Sequence, residues 1–135
     1  MRKNSTLVAA VALLAIVSLP LMMTAQDNKP KSEVISGTLV DLKCYAAAGF
    51  TTNDHGNMKG CGAACASGGL PVGLVDANKK VHFLAVSAPA YASLVGQELR
   101  FTGAQGKNAE VFIPEKLEVK ENGKWVEKKL PKTMM

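Results

Sequence analysis

The chain has 135 residues and carries 16 Lys and Arg against 11 Asp and Glu, a formal charge of +5. Part of the excess is Arg2 and Lys3 at the start. Much of the rest, Lys124, Lys128, Lys129 and Lys132, crowds the C-terminal end, where such runs form solvated faces. With 5% aromatic residues and no basic stripe interleaved with them, the composition argues against a nucleic-acid partner.

Residues 1–25 have the three parts of a secretory signal peptide. Arg2 and Lys3 supply the positive start, Leu7 to Leu19 is an apolar run broken only by Ser18, and Thr24-Ala25 offers small residues for cleavage before Gln26. The rival is an uncleaved inner-membrane tether through residues 7–23, a stretch of 17 residues at the lower limit for a span and interrupted by Pro20. Met23 weakens the cleavage signal, so both stand. Either way the domain is expected outside the cytoplasm, periplasmic or extracellular, with membrane contact only if the signal stays attached.

Cleavage would leave 110 residues, enough for one domain with a core of its own. Residues 26–32 read as a flexible polar leader. Glu33 to Leu42 is β-branched and alternating, which predicts a strand, and Gly37 inside it predicts a bend. Cys44 is expected at the end of that strand. Asn57 to Ser67 reads as a short helix stopped by Gly68-Gly69. Val72–Val75 and Val81–Val86, joined through Asp76-Ala77-Asn78, read as a hairpin. Ala88 to Leu94 is a second short helix with Pro89 at its start. Glu98–Thr102 and Val111–Ile113 follow as strands, Leu117–Val119 continues the latter or follows it as a separate strand after Pro114, and Asn122-Gly123 is a tight-turn signal.

The expected class is all-β: a small barrel over residues 33–121 with a helical, cysteine-containing insert between its first two strands and a short second helix. Residues 122–135 are expected to be a basic tail that adds at most a final strand. Three strands, a helix and two strands match the order of an oligonucleotide/oligosaccharide-binding-type barrel.

Chemistry concentrates in the insert. It holds all three cysteines, Cys44, Cys61 and Cys65, with His55 and Met58 between them and Asp41 and Tyr45 flanking the first. Cys61 and Cys65 are one helical turn apart, with Cβ atoms about 5–6 Å apart on one face. Two thiolates so placed can converge on one metal ion. Cys44 and His55 would complete a Cys3His set suited to zinc, and Met58, a soft thioether, would also suit copper. The alternative is a disulfide from Cys44 to Cys61 or to Cys65, stapling the insert in an oxidising compartment. Three cysteines leave one unpaired in that case. A third alternative is a redox thiol of lowered pKa.

Other chemistry lacks its residues. No Gly-Lys-Ser/Thr ending follows the glycines at 68–73, and no Ser sits in a G-x-S-x-G frame. His82, in the strand VHFLAV, reads as an outward strand residue rather than a ligand.

The segments SGTLVDLKCY, CGAACASGGLPVGLV, VHFLAV and VGQELRFTG together resemble an uncharacterised family of small exported bacterial proteins. Its pattern is Cys-Tyr … His … Cys-x3-Cys-x5-Pro-x-Gly, and the likeness runs from Val34 to Val119. The resemblance implies export and an oligonucleotide/oligosaccharide-binding-type barrel, and it brings no activity with it. The leading expectation is a non-enzymatic exported module that binds zinc or copper through Cys44, His55, Cys61 and Cys65. A structural or ligand-binding barrel without metal, or a thiol redox protein, are the alternatives.

Overall fold

The computed structural model describes residues 31–132. The expected signal peptide and most of the leader lie outside the described residues. Six strands and three short helices follow in order: β1 (Glu33–Asp41), α1 (Leu42–Ala48), α2 (Cys61–Ser67), β2 (Val72–Val75), β3 (Val81–Leu84), α3 (Ala88–Tyr91), a 3-10 turn at Ala92–Leu94, β4 (Glu98–Gln105), β5 (Val111–Glu121) and β6 (Lys124–Lys128). Among the described residues no helix is long and apolar enough to cross a membrane.

The protein is mostly β. The strands run in the order β3-β2-β1-β4-β5-β6, and β3 also pairs with β5, so five strands close into a ring while β6 extends beyond β5. All pairings are antiparallel except β3 with β5. β1 belongs to two ladders, with β4 over Glu33–Thr38 and with β2 over Thr38–Asp41. The changeover falls at Thr38, and at the adjoining Gly37 a Cβ would stand 2.2 Å from the carbonyl oxygen of Val75. Only glycine lets β2 close on β1 there.

Apolar side chains from the inner face of the ring form one core. Leu39, Leu74, Leu99, Phe101, Phe112 and Leu117 are fully buried, and Tyr91 from α3 packs with its ring tilted against Phe101.

Three expectations change. Cys44 does not end a strand: β1 stops at Asp41, and Cys44 lies in the first turn of α1. The helix expected from Asn57 begins only at Cys61. Pro114 does not interrupt β5, because it faces Gly103 at a bulge in the β4 ladder, where a missing N–H costs no regular bond. The final strand allowed for in the C-terminal segment forms as β6, which pairs with β5 from Leu117 to Glu121. There Trp125 receives the guanidinium of Arg100, 4.7 Å from its ring centroid.

Candidate metal centre

Asp41 starts the site. As N-cap of α1 its Oδ1 accepts the backbone N–H of Lys43 (3.1 Å) and of Cys44 (3.3 Å), satisfying two of the donors a helix start leaves free. The N–H of Leu42 donates to the carbonyl of Pro71 at 2.9 Å, so both ends of the insert meet. Cys44 is thereby fixed at the junction of β1 with the insert.

α2 carries the other two thiols and is anchored by bonds to residues six to ten positions upstream. The carbonyl of Asn53 accepts the N–H of Gly62 (2.9 Å), Asn53 Oδ1 accepts that of Ala63 (2.8 Å), and Asp54 Oδ1 accepts that of Gly60 (2.7 Å). These remote caps explain the late helix start. On its inner side α2 packs closely: a Cβ at Gly62 would stand 2.7 Å from Cγ1 of Val95.

His55 hangs in the loop between. It exchanges two backbone hydrogen bonds with Met58, at 3.0 and 3.1 Å, forming a tight turn. Its ring stacks on Phe50 and is 2% exposed. Met58 contributes its backbone to this turn, while its residue surface is 58% exposed.

These elements bring ligand atoms together in two groups of three. In one, a ring nitrogen of His55 and the sulfurs of Cys44 and Cys61 lie within 4.8 Å of one another. In the other, a carboxylate oxygen of Asp41 and the sulfurs of Cys44 and Cys65 do so within the same limit. All four expected ligands are therefore in the cluster, but they divide into two triads that share Cys44. Asp41 joins them as a donor that sequence reasoning placed only as a flank. The three cysteines are free and half-buried, and no pair stands at disulfide distance.

No family model, curated protein or solved structure matches the chain.

The site's chemistry therefore rests on its own geometry. Two buried polar atoms lack hydrogen-bond partners: Nδ1 of His55 and Oδ2 of Asp41. Leaving such an atom unmet costs about 1–3 kcal/mol. Both belong to the cluster, one in each triad, so the unmet polarity of the described residues gathers at one place.

Two of the three thiols, Cys44 and Cys65, are held toward the neutral form. The Asp41 carboxylate beside it, then burial and the neighbouring charges, push the Cys44 thiol up to about 12. Burial, then the adjacent Cys61 thiol, also raises Cys65. A nucleophilic redox cysteine needs the opposite shift. A cation among these sulfurs would reverse it, because a coordinated thiol is deprotonated.

His82 faces the turn joining β2 and β3, where its Nε2 lies 3.1 Å from Oδ2 of Asp76. That is a structural contact away from the cysteine cluster.

Proposed function

We propose that this chain is an exported, non-enzymatic module that holds a soft or borderline metal ion, zinc or copper, at the cluster of Cys44, His55, Cys61 and Cys65. The observation that carries the reading is His55: an imidazole 2% exposed, with an unpartnered Nδ1 and a ring nitrogen within 4.8 Å of two sulfurs. Thiolate and imidazole donors are the set that zinc and copper take. The half-buried sulfurs leave a path for the ion to enter.

Export is part of the same proposal. It is supported by the charged start at Arg2-Lys3 and the apolar run after it, and by the resemblance of the Cys-Tyr … Cys-x3-Cys pattern to an exported family. We also infer that the ring is a barrel of the oligonucleotide/oligosaccharide-binding type. The five-strand closure β1-β2-β3-β5-β4 and the placement of α3 between β3 and β4 support this.

The test is the metal content of the chain purified anaerobically without chelator. Zinc or copper near stoichiometric amounts is expected, and is expected to be lost in Cys44→Ser. A metal-free protein whose three thiols all alkylate freely would overturn the reading. N-terminal sequencing of the exported product, with Gln26 as its first residue, tests cleavage.

A further inference from the structure

The two triads share one atom, the sulfur of Cys44, and each brings two donors of its own: His55 and Cys61 on one side, Asp41 and Cys65 on the other. A bridging thiolate can serve two ions. Each triad also contains one buried polar atom without a partner, Nδ1 of His55 and Oδ2 of Asp41. One ion held by the Cys3His set would leave Oδ2 of Asp41 unmet, on a side chain 1% exposed.

Charge points the same way. Three thiolates and the Asp41 carboxylate bring four negative charges into the cluster. One divalent ion leaves two of them uncompensated beside a buried carboxylate, a costly state in a low-dielectric setting. Two divalent ions balance the four. Two monovalent copper ions would not.

We propose that the centre is binuclear: it takes two divalent thiophilic ions bridged by the sulfur of Cys44, with Asp41 as an oxygen ligand to the second. This rests on the reading of the cluster as a metal site. Each thiol that ligates gives its proton to solvent, and the ions enter as hydrated dications that lose water. No electron transfer is involved. The carboxylate oxygen makes the second position harder than the first, which favours zinc over copper(I) there.

The experiment is an anaerobic titration of the full, metal-stripped, reduced chain with Co(II), read by the thiolate-to-metal absorption band and by the metal retained after gel filtration. The expected stoichiometry is two per chain, with magnetic coupling between the ions through the shared sulfur. Asp41→Asn keeps a side-chain oxygen for the helix cap, since Asn is as good an N-cap as Asp, and is expected to retain one ion. His55→Ala is expected to retain one ion, in the other position. Cys44→Ser is expected to lose both. One ion in the wild type, unchanged in Asp41→Asn, overturns the binuclear proposal and leaves the single metal site standing. No retained Co(II) in the wild type overturns both. The wild-type count decides the matter even if a variant fails to fold.

Discussion

The ring of Phe50 lies flat on the imidazole of His55, with centroids 4.7 Å apart and planes 10° from parallel. This stacking orients the imidazole by packing, while Nδ1, which makes no hydrogen bond, stays free for an ion. Metal-binding histidines usually owe their orientation to a hydrogen-bonded neighbour, whose loss lowers affinity 10- to 100-fold. Phe50 takes that part here. Phe50→Ala is expected to weaken zinc binding about tenfold while leaving the far-UV spectrum unchanged, and Phe50→Tyr is expected to restore most of the affinity. Competition against a chromogenic chelator measures both. An affinity unchanged in Phe50→Ala would show that the turn at His55–Met58 alone holds the imidazole.

The raised thiol of Cys44 makes the metal-free protein sensitive to alkali. Its value is 9.0 when unperturbed and about 12 in the fold, so between those limits the native state holds a proton that the unfolded chain gives up. The contribution is fully present below pH 9 and is lost as pH rises toward 12. Chemical denaturation of the stripped chain at increasing pH is expected to show stability falling through this window, and Cys44→Ser is expected to flatten the fall. With metal bound, the dependence at lower pH has the opposite sign: ligation displaces thiol protons, so affinity climbs as pH rises from acid to neutral. An apo protein equally stable at pH 9 and at 11 would refute the first expectation.

Much of this arrangement could be read from the chain, and the misses have identifiable causes. Asp76-Ala77-Asn78 announced the turn before β3, because it depends on local backbone chemistry, and Gly37 marked a close approach of backbone. The one-turn spacing of Cys61 and Cys65 on α2 followed from the sequence, but their division between two triads did not. α1 was missed although its signals were present: Asp41 three residues before Cys44 is an N-cap, and Gly49, at φ 73°, closes the helix. The β-branched run before it hid them. The start of α2 was placed too early because its caps come from Asn53 and Asp54, outside the reach of a local capping rule. Asp41 as a donor was not legible, since only the folded chain shows that capping occupies one of its oxygens and leaves the other free.

Asp76 offers a test away from the cysteines. Its Oδ1 accepts the N–H of Asn78 (2.8 Å) and of Lys80 (2.9 Å), and its Oδ2 faces Nε2 of His82 at 3.1 Å. The hydrogen bond with His82, helped by the two backbone bonds and opposed by partial burial, lowers the carboxyl below its usual 3.8. A lowered carboxyl contributes stability that is present above the unfolded value and is lost as pH falls through the folded one. Acid titration of the wild type is therefore expected to show a loss of stability below pH 3.8 that is smaller in Asp76→Asn. An amide at this position can keep the bonds that shape the turn. Denaturant midpoints at several acidic pH values measure the difference, and identical slopes would place the acid sensitivity elsewhere.

Gly62 tests whether the site depends on where α2 sits. The helix carries both Cys61 and Cys65, and it lies so close to the 3-10 turn region that a Cβ at Gly62 would stand 2.7 Å from Cγ1 of Val95. The same Cβ would approach the carbonyl oxygen and Oδ1 of Asn53 to 3.4 Å, and the Asn53 carbonyl accepts the N–H of Gly62 itself. A larger residue must therefore push the helix away from Val95 and strain its remote cap together. Overpacking of this kind costs about 1–3 kcal/mol, so Gly62→Val is expected to remain folded but less stable. The thiols would move with the helix while Cys44 stays on α1, so metal affinity should fall more steeply than stability. Gly62→Val combined with Val95→Ala removes the clashing methyl and is expected to recover part of both. Thermal denaturation and zinc competition on the two variants separate the outcomes. A Gly62→Val protein that loses stability and keeps full zinc affinity would mean that the sulfurs adjust independently of the packing beneath α2.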